Sequence, residues 1–229
     1  MNNLFYIYIY MFLVLGSCRV IVTMNHSKYF CHNTFQEQGC RHLNPKNVIG
    51  RGYSLKEHYE MLMLIFGKKK VYDYVGDEYK DINEIIKNIE NIRSCLNEIT
   101  CVIIEPCSLK YYKDVKNRLV HNVLNHNGIY KEFNMTAEEC HLYIKKIIEL
   151  LSDKKIIFVN HFLHNSIPSR ILIRDCLKIH QSKNVNMITP SEKWNINNVS
   201  DYLADPNHYR NDKYKEIANY IDYVYEKEI

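Results

Sequence analysis

The tripeptide Gly16-Ser17-Cys18 closes an apolar run near the start of the chain, and Arg19 follows it. A thiol at a tight turn suits a nucleophile. Glycine permits the turn and lets backbone N–H groups approach a substrate oxygen, and a helix starting nearby would lower the thiol's pKa. Far downstream stands Asp205-Pro206-Asn207-His208. An Asp three residues ahead of a His can orient the imidazole through one ring nitrogen and leave the other to accept a proton from a thiol or hydroxyl. Between them, Asn47 to Ser54 is a loop bearing Gly50 and Gly52 that feeds a helix start and can offer oxyanion donors. A nucleophile, an oriented base and oxyanion donors are the parts of an acyl-transfer site. Each residue type also has a plainer role. Cys18 could be a buried structural thiol, His208 with Asp205 a helix cap, Arg19 a salt-bridged residue, and the two glycines a turn.

These groups are distant in sequence, so regular elements must gather them. Leu4 to Leu15 is an unbroken apolar and tyrosine run whose Tyr/Ile alternation suits a strand. The alternative is an export signal, because Leu15-Gly16-Ser17-Cys18 resembles a lipoprotein cleavage box with Cys18 as the lipidated residue. Met1-Asn2-Asn3 lacks the basic residues of a signal and tyrosines interrupt the run, which favours the strand and, with it, a cytoplasmic protein. The run is too short for a spanning helix, so no membrane span is expected. Ser54-x-x-Glu57 is a capping box that predicts a helix from Ser54 to near Gly67, and isoleucines at helical spacing predict another within Asp77 to Asn97. Thr100 to Ile104 reads as a buried strand that ends at Pro106. Thr136-x-x-Glu139 opens a helix with Leu142, Ile144, Ile147, Ile148 and Leu151 facing inward. A strand over 155–160, a helix after Pro168, a strand over 185–189 and a closing helix over 214–225 complete the pattern. Alternating strands and helices with long crossovers predict a parallel sheet wrapped by helices, with ligands beyond the carboxyl ends of its strands.

The 229 residues, 46% hydrophobic and 24% charged, suit one domain, and seven glycines and five prolines exclude collagen-like or linker-like chains. Thirty basic residues interleave with 26 acidic ones, so the net charge of +4 calls for no nucleic-acid partner. The eight cysteines form no CxxC pair and no small disulfide framework, and mostly reduced thiols are expected. Cys31, His32, Cys40 and His42 are metal-ligand types at a spacing that matches no common zinc knuckle, so no metal is expected.

Gly16-Ser17-Cys18 with the late Asp205-x-x-His208 resembles the SGNH (GDSL-like) hydrolase superfamily, and more narrowly its GSCFA branch and related capsular-polysaccharide acyltransferase-like proteins. The resemblance runs from about Leu13 to Ile221. Asn47 to Ser54 is similar to the family's glycine-bearing segment, Ser169-Arg170 resembles a Ser-Lys pair, Met187 to Glu192 looks like its Phe-Pro-Ser-Tyr-Glu strand end, and Asp205 and His208 match its terminal motif. The resemblance implies a three-layer α/β/α sandwich around a central, mostly parallel, flavodoxin-like sheet: a single domain over 1–229 with a helical insertion around 73–98. It implies an esterase or acyltransferase acting on a small acyl ester or thioester, with a carbohydrate or similar small molecule as acceptor. No cofactor would be tightly bound, and acyl-CoA would serve as co-substrate. Cys18, Asp205 and His208 would be catalytic, and Ser17, Arg19, Gly50, Gly52, Cys107, Ser108 and His161 would line the oxyanion and substrate site. Two departures stand out. Arg19-Val20 replaces Phe-Ala, and Glu105-Pro106-Cys107-Ser108 lacks the hydrolases' oxyanion Asn, so Cys107 or Ser108 would supply that contact. Glu105, if aimed into the pocket, would oppose a developing oxyanion, which makes a catalytically silent glycan- or protein-binding domain the alternative. His161 and His164 would either line the pocket or sit in a surface loop.

Overall fold

The β-branched and aliphatic runs of the sequence become the strands of one sheet. The computed structural model describes residues 11–28, 42–43, 53–70, 75–77, 82–94, 96–121, 130–161, 167–194, 199–205 and 208–227. Along them lie β1 (Met11–Leu15), α1 (Cys18–Met24), β2 (His42–Leu43), α2 (Leu55–Ile65), β3 (Val75–Asp77), α3 (Ile82–Ser94), β4 (Ile99–Ile104), β5 (Lys110–Lys113), β6 (Leu119–His121) and β7 (Lys131–Asn134). There follow α4 (Ala137–Leu150), β8 (Lys155–Val159), α5 (Pro168–Lys178), β9 (Val185–Ile188), α6 (Pro190–Lys193), β10 (Leu203–Asp205), β11 (His208–Tyr209) and α7 (Asn211–Glu226).

The central sheet has the order β2-β1-β4-β8-β9, and every neighbouring pair is parallel. The expectation of an α/β protein on a parallel sheet is met, and Met11–Leu15 is strand. All the carboxyl ends therefore share one edge, and the order reverses between β1 and β4: the chain leaves β1 toward β2 on one side and β4 toward β8 on the other, the kind of place where such sheets bind ligands. Register ties Leu15 to Ile104, Ile104 to Phe158 and Val159 to Ile188.

Side-chain alternation splits the sheet's burial between two faces. On one, Leu13, Leu15, Val102, Ile104, Ile156 and Phe158 pack with Leu62 and Ile65 of α2, Ile89 and Ile92 of α3, Ile144 and Ile147 of α4, and Ile173 and Leu177 of α5. On the other, Phe12, Val14, Ile103, Ile157 and Val159 pack with Val20 of α1 and Ile217 and Ile221 of α7. Both capping boxes form, at Ser54 with Glu57 and at Thr136 with Glu139, and α2 stops at Gly67, whose φ of 69° suits glycine.

A smaller sheet has the order β3-β6-β5-β7. Tyr111 and Leu119 of this sheet, with Met135 just beyond it, join the first core, and Tyr111 stacks on Phe133 at 5.3 Å. Sequence periodicity does not reveal this sheet. The segment 73–98 holds β3 as well as the helix α3, and Ile89 and Ile92 make that helix part of the core. One inward assignment is corrected: Leu142 is 46% exposed, because it lies on α4 opposite Ile144 and Ile147. Among the described residues no helix is long and apolar enough to cross a membrane.

Candidate functional site

The turn between β1 and α1 is built on glycine. Gly16 has φ 152°, and a Cβ there would lie 2.8 Å from both Glu105 Cβ and Val20 Cγ1. Close approach of β1 to the end of β4 puts Ser17 against Glu105. Ser17 caps α1 by accepting from Arg19 N, its own N–H donates to Glu105 Oε2 at 3.1 Å, and its hydroxyl donates to the same oxygen. Arg19 completes the knot: Nε donates to Glu105 Oε1 at 2.7 Å and Nη2 reaches it at 2.6 Å. The pair is sealed from water, with side chains 2% and 0% exposed. Burial, the largest single influence, would by itself lower the guanidinium's pKa; the Glu105 carboxylate together with Tyr209 and Cys107 raises it overall. Glu105 therefore spends its charge on Arg19 and Ser17, so the condition under which it would oppose an oxyanion, a carboxylate aimed into the pocket, is not the arrangement seen.

Tyr209 extends the knot toward the last helix. Its buried ring lies 5.5 Å from Arg19 Cζ, and burial pushes its phenol up. The preceding residue, His208, faces outward in β11. Its side chain is 48% exposed and its Nδ1 lies 2.8 and 3.0 Å from the two carboxylate oxygens of Asp205 in β10. A carboxylate only accepts, so Nδ1 carries the proton and Nε2 is left as a base. The hydrogen bond read from Asp205-x-x-His208 is thus formed. Cys18 is the first residue of α1, and α1 packs against β11 and α7; the placement of its thiol lies outside the described side chains.

The other expected site residues divide. Cys107 N and Ser108 N both donate to Tyr53 O, at 2.8 and 3.0 Å, which ties the end of β4 to the start of α2 and spends both amides. Burial, and then Glu105, pushes the Cys107 thiol up to about 12, so it is a neutral S–H. Ser108 Oγ accepts from Lys110 N. His161 is buried just past β8, which removes the surface-loop reading. Gly50, Gly52, His164, Cys31, His32 and Cys40 lie outside the described residues, as does the side chain of His42; among the described residues no group of His, Cys, Asp or Glu is arranged to hold a metal.

Several polar residues at this edge were not singled out from sequence as site residues. Asn160 follows β8, Thr189 and Ser191 follow β9, and Arg170 opens α5. Beneath Tyr53, Glu57 is buried in its capping box, and burial raises its carboxyl to about 7. The signal that finds Asn160 and Thr189 is positional: each is the polar residue immediately after the last residue of a strand, on the edge that all carboxyl ends share. Fold and site define an α/β protein with a dense buried polar cluster along the carboxyl edge of a parallel sheet. Neither a model of a known protein family nor a curated protein matches the chain.

Proposed function

We propose that the chain is a three-layer α/β/α sandwich of SGNH-hydrolase type and an acyl-transfer enzyme with Cys18 as nucleophile. The observation that carries this reading is the Asp205–His208 hydrogen bond, presented on a strand packed against the helix that Cys18 begins. In the reaction, His208 Nε2 takes the thiol proton as Cys18 Sγ bonds to the carbonyl carbon of an ester or thioester. Collapse of the tetrahedral adduct breaks the bond to the leaving oxygen or sulfur, which takes the proton back from His208. Water or a carbohydrate hydroxyl then attacks the acyl-cysteine, His208 accepts its proton, and the cysteine thiolate leaves and is reprotonated by His208. Asp205 holds the ring and stabilises the imidazolium. Backbone amides at Ser17 and Glu105 are occupied, since Ser17 N donates to Glu105 and Glu105 N donates to Leu15 O at 2.9 Å, so the oxyanion would rely on the Cys18 amide and the 47–54 loop.

Cys18→Ala and His208→Ala are each expected to lower turnover of p-nitrophenyl acetate and acyl-CoA at least about a hundredfold. Unchanged rates in both variants defeat the proposal. The second reading, a silent glycan- or protein-binding domain, is favoured by the absence of the hydrolases' oxyanion Asn from Glu105-Pro106-Cys107-Ser108 and by the neutral Cys107 thiol there. Intact mass after incubation with acyl-CoA separates the two: an acyl adduct that Cys18→Ala abolishes supports the enzyme, and no adduct on folded protein supports the binding domain.

A further inference from the structure

Three side chains at the carboxyl ends of β8 and β9 carry polar atoms that no described residue satisfies. Asn160 is 0% exposed, and both its Nδ2 and Oδ1 lack hydrogen-bond partners among the described residues; so do Thr189 Oγ1, at 6% exposure, and Ser191 Oγ. The two parallel strands pair Val159 with Ile188, and Asn160 N donates to Ile188 O at 2.7 Å, so the ladder continues and sets Asn160 beside Thr189. By alternation both follow the side chains that pack on α5: Ile156 and Phe158 precede Asn160, and Val185 and Met187 precede Thr189. Thr189 stands at the N-cap position of α6 and makes no side-chain cap bond there. Buried amides and hydroxyls are nearly always paired, so neighbouring orphans on one face mark a place that a ligand completes.

Charge says which ligand. Arg170, in the first turn of α5, is half-buried and makes no ion pair or side-chain hydrogen bond among the described residues. Burial, and then the positive charge of Arg19, pull its guanidinium down to about 10. The nearby carboxylate, Glu105, already holds Arg19. Glu192, on the short helix after Thr189, is held by Arg174 and Lys178 at 3.0 and 3.1 Å. Among the described residues Arg170 is therefore a guanidinium without an ion-pair partner, on the helix that follows β8 and Asn160. We propose that Asn160, Thr189 and Arg170 form a subsite for an oxyanion group, the carboxylate or phosphoryl group of an anionic substrate, at the carboxyl ends of β8 and β9. The subsite names the substrate class for the acyl-transfer reading and rests on it only in taking this edge as the ligand edge; binding there needs no chemistry at Cys18.

The test uses the full chain carrying Cys18→Ala, so that turnover plays no part. The protein is titrated calorimetrically with inorganic phosphate and, separately, with acetate, at an ionic strength fixed with chloride. Saturable binding is expected, of phosphate if the group is phosphoryl and of acetate if it is a carboxylate. Arg170→Gln is expected to weaken it at least about tenfold, the loss of one charge-assisted hydrogen bond. Asn160→Leu, of similar volume, is expected to abolish binding and to raise the Tm of the ligand-free protein, because a partnerless buried amide is gone. No saturable binding of either anion, or unchanged affinity in Arg170→Gln, overturns the subsite, and Arg170→Gln decides the matter alone if Asn160→Leu does not fold. A fall in ligand-free Tm for Asn160→Leu gives the amide a structural role and removes it from the subsite. Anion binding that persists while Cys18 proves dispensable for turnover leaves the subsite standing and defeats acyl transfer alone.

Discussion

Arg19 and Glu105 are each costly to take out of water, and each is tolerable because of the other. Glu105→Gln removes the charge and leaves a buried guanidinium without its counterion, which is expected to cost about 3–5 kcal/mol in urea unfolding. Arg19→Met combined with Glu105→Leu is expected to recover most of that loss, since no uncompensated charge remains. A double variant as unstable as Glu105→Gln would mean that the knot's geometry, and not its charge balance, holds this end of the sheet. The salt-bridged role of Arg19 was legible in the sequence as one of two readings. Its partner was not, because 86 residues separate the two and only the pairing of β1 with β4 brings them together. The Asp205–His208 contact spans three residues, and local spacing was enough to read it.

Local signals served equally well for whole elements. The capping boxes at Ser54 and Thr136, the glycine that ends α2 and the β-branched runs of β4 and β8 each state their element within a few residues. The smaller sheet was silent for the opposite reason. Its strands are three or four residues long, and Lys110-Tyr111-Tyr112-Lys113 shows neither an apolar run nor a strict alternation, so its stability comes from docking Tyr111 and Leu119 on the main core. Leu142 was misplaced because an apolar residue of α4 was assumed to face inward with its neighbours. The turn from β1 to α1 is the element on which the site depends most. Gly16→Ala would place a Cβ 2.8 Å from Glu105 Cβ and Val20 Cγ1 at a φ of 152°, and is expected to cost at least about 2 kcal/mol by thermal or urea denaturation. A change below about 0.5 kcal/mol would show that the turn relaxes without strain.

At the scale of the whole molecule, stability acquires a pH slope from one buried carboxyl. Glu57 ionises at about 7 in the folded chain against an ordinary value of 4.5, because burial penalises its charged form. Below about 4.5 both folded and unfolded chains hold the proton, and its contribution is complete. Between there and about 7 the unfolded chain releases the proton while the folded chain keeps it, so stability falls as pH rises; above about 7 the contribution is gone. Glu57→Gln is expected to flatten the fall between pH 5 and 7 by a total of the order of 3 kcal/mol, read as the difference between variant and parent in urea midpoints. Parallel slopes would mean that Glu57 ionises as it does in water. The strand order also governs how the chain can assemble during synthesis. Strand β1 lies between β2 and β4, yet β4 ends only at Ile104, about 90 residues after β1. At ribosomal rates the apolar segment Met11–Leu15 waits roughly 5–20 s for its main neighbour. Over that interval only the short β2 is available to pair with it, and the side of β1 that β4 will cover stays an open strand edge.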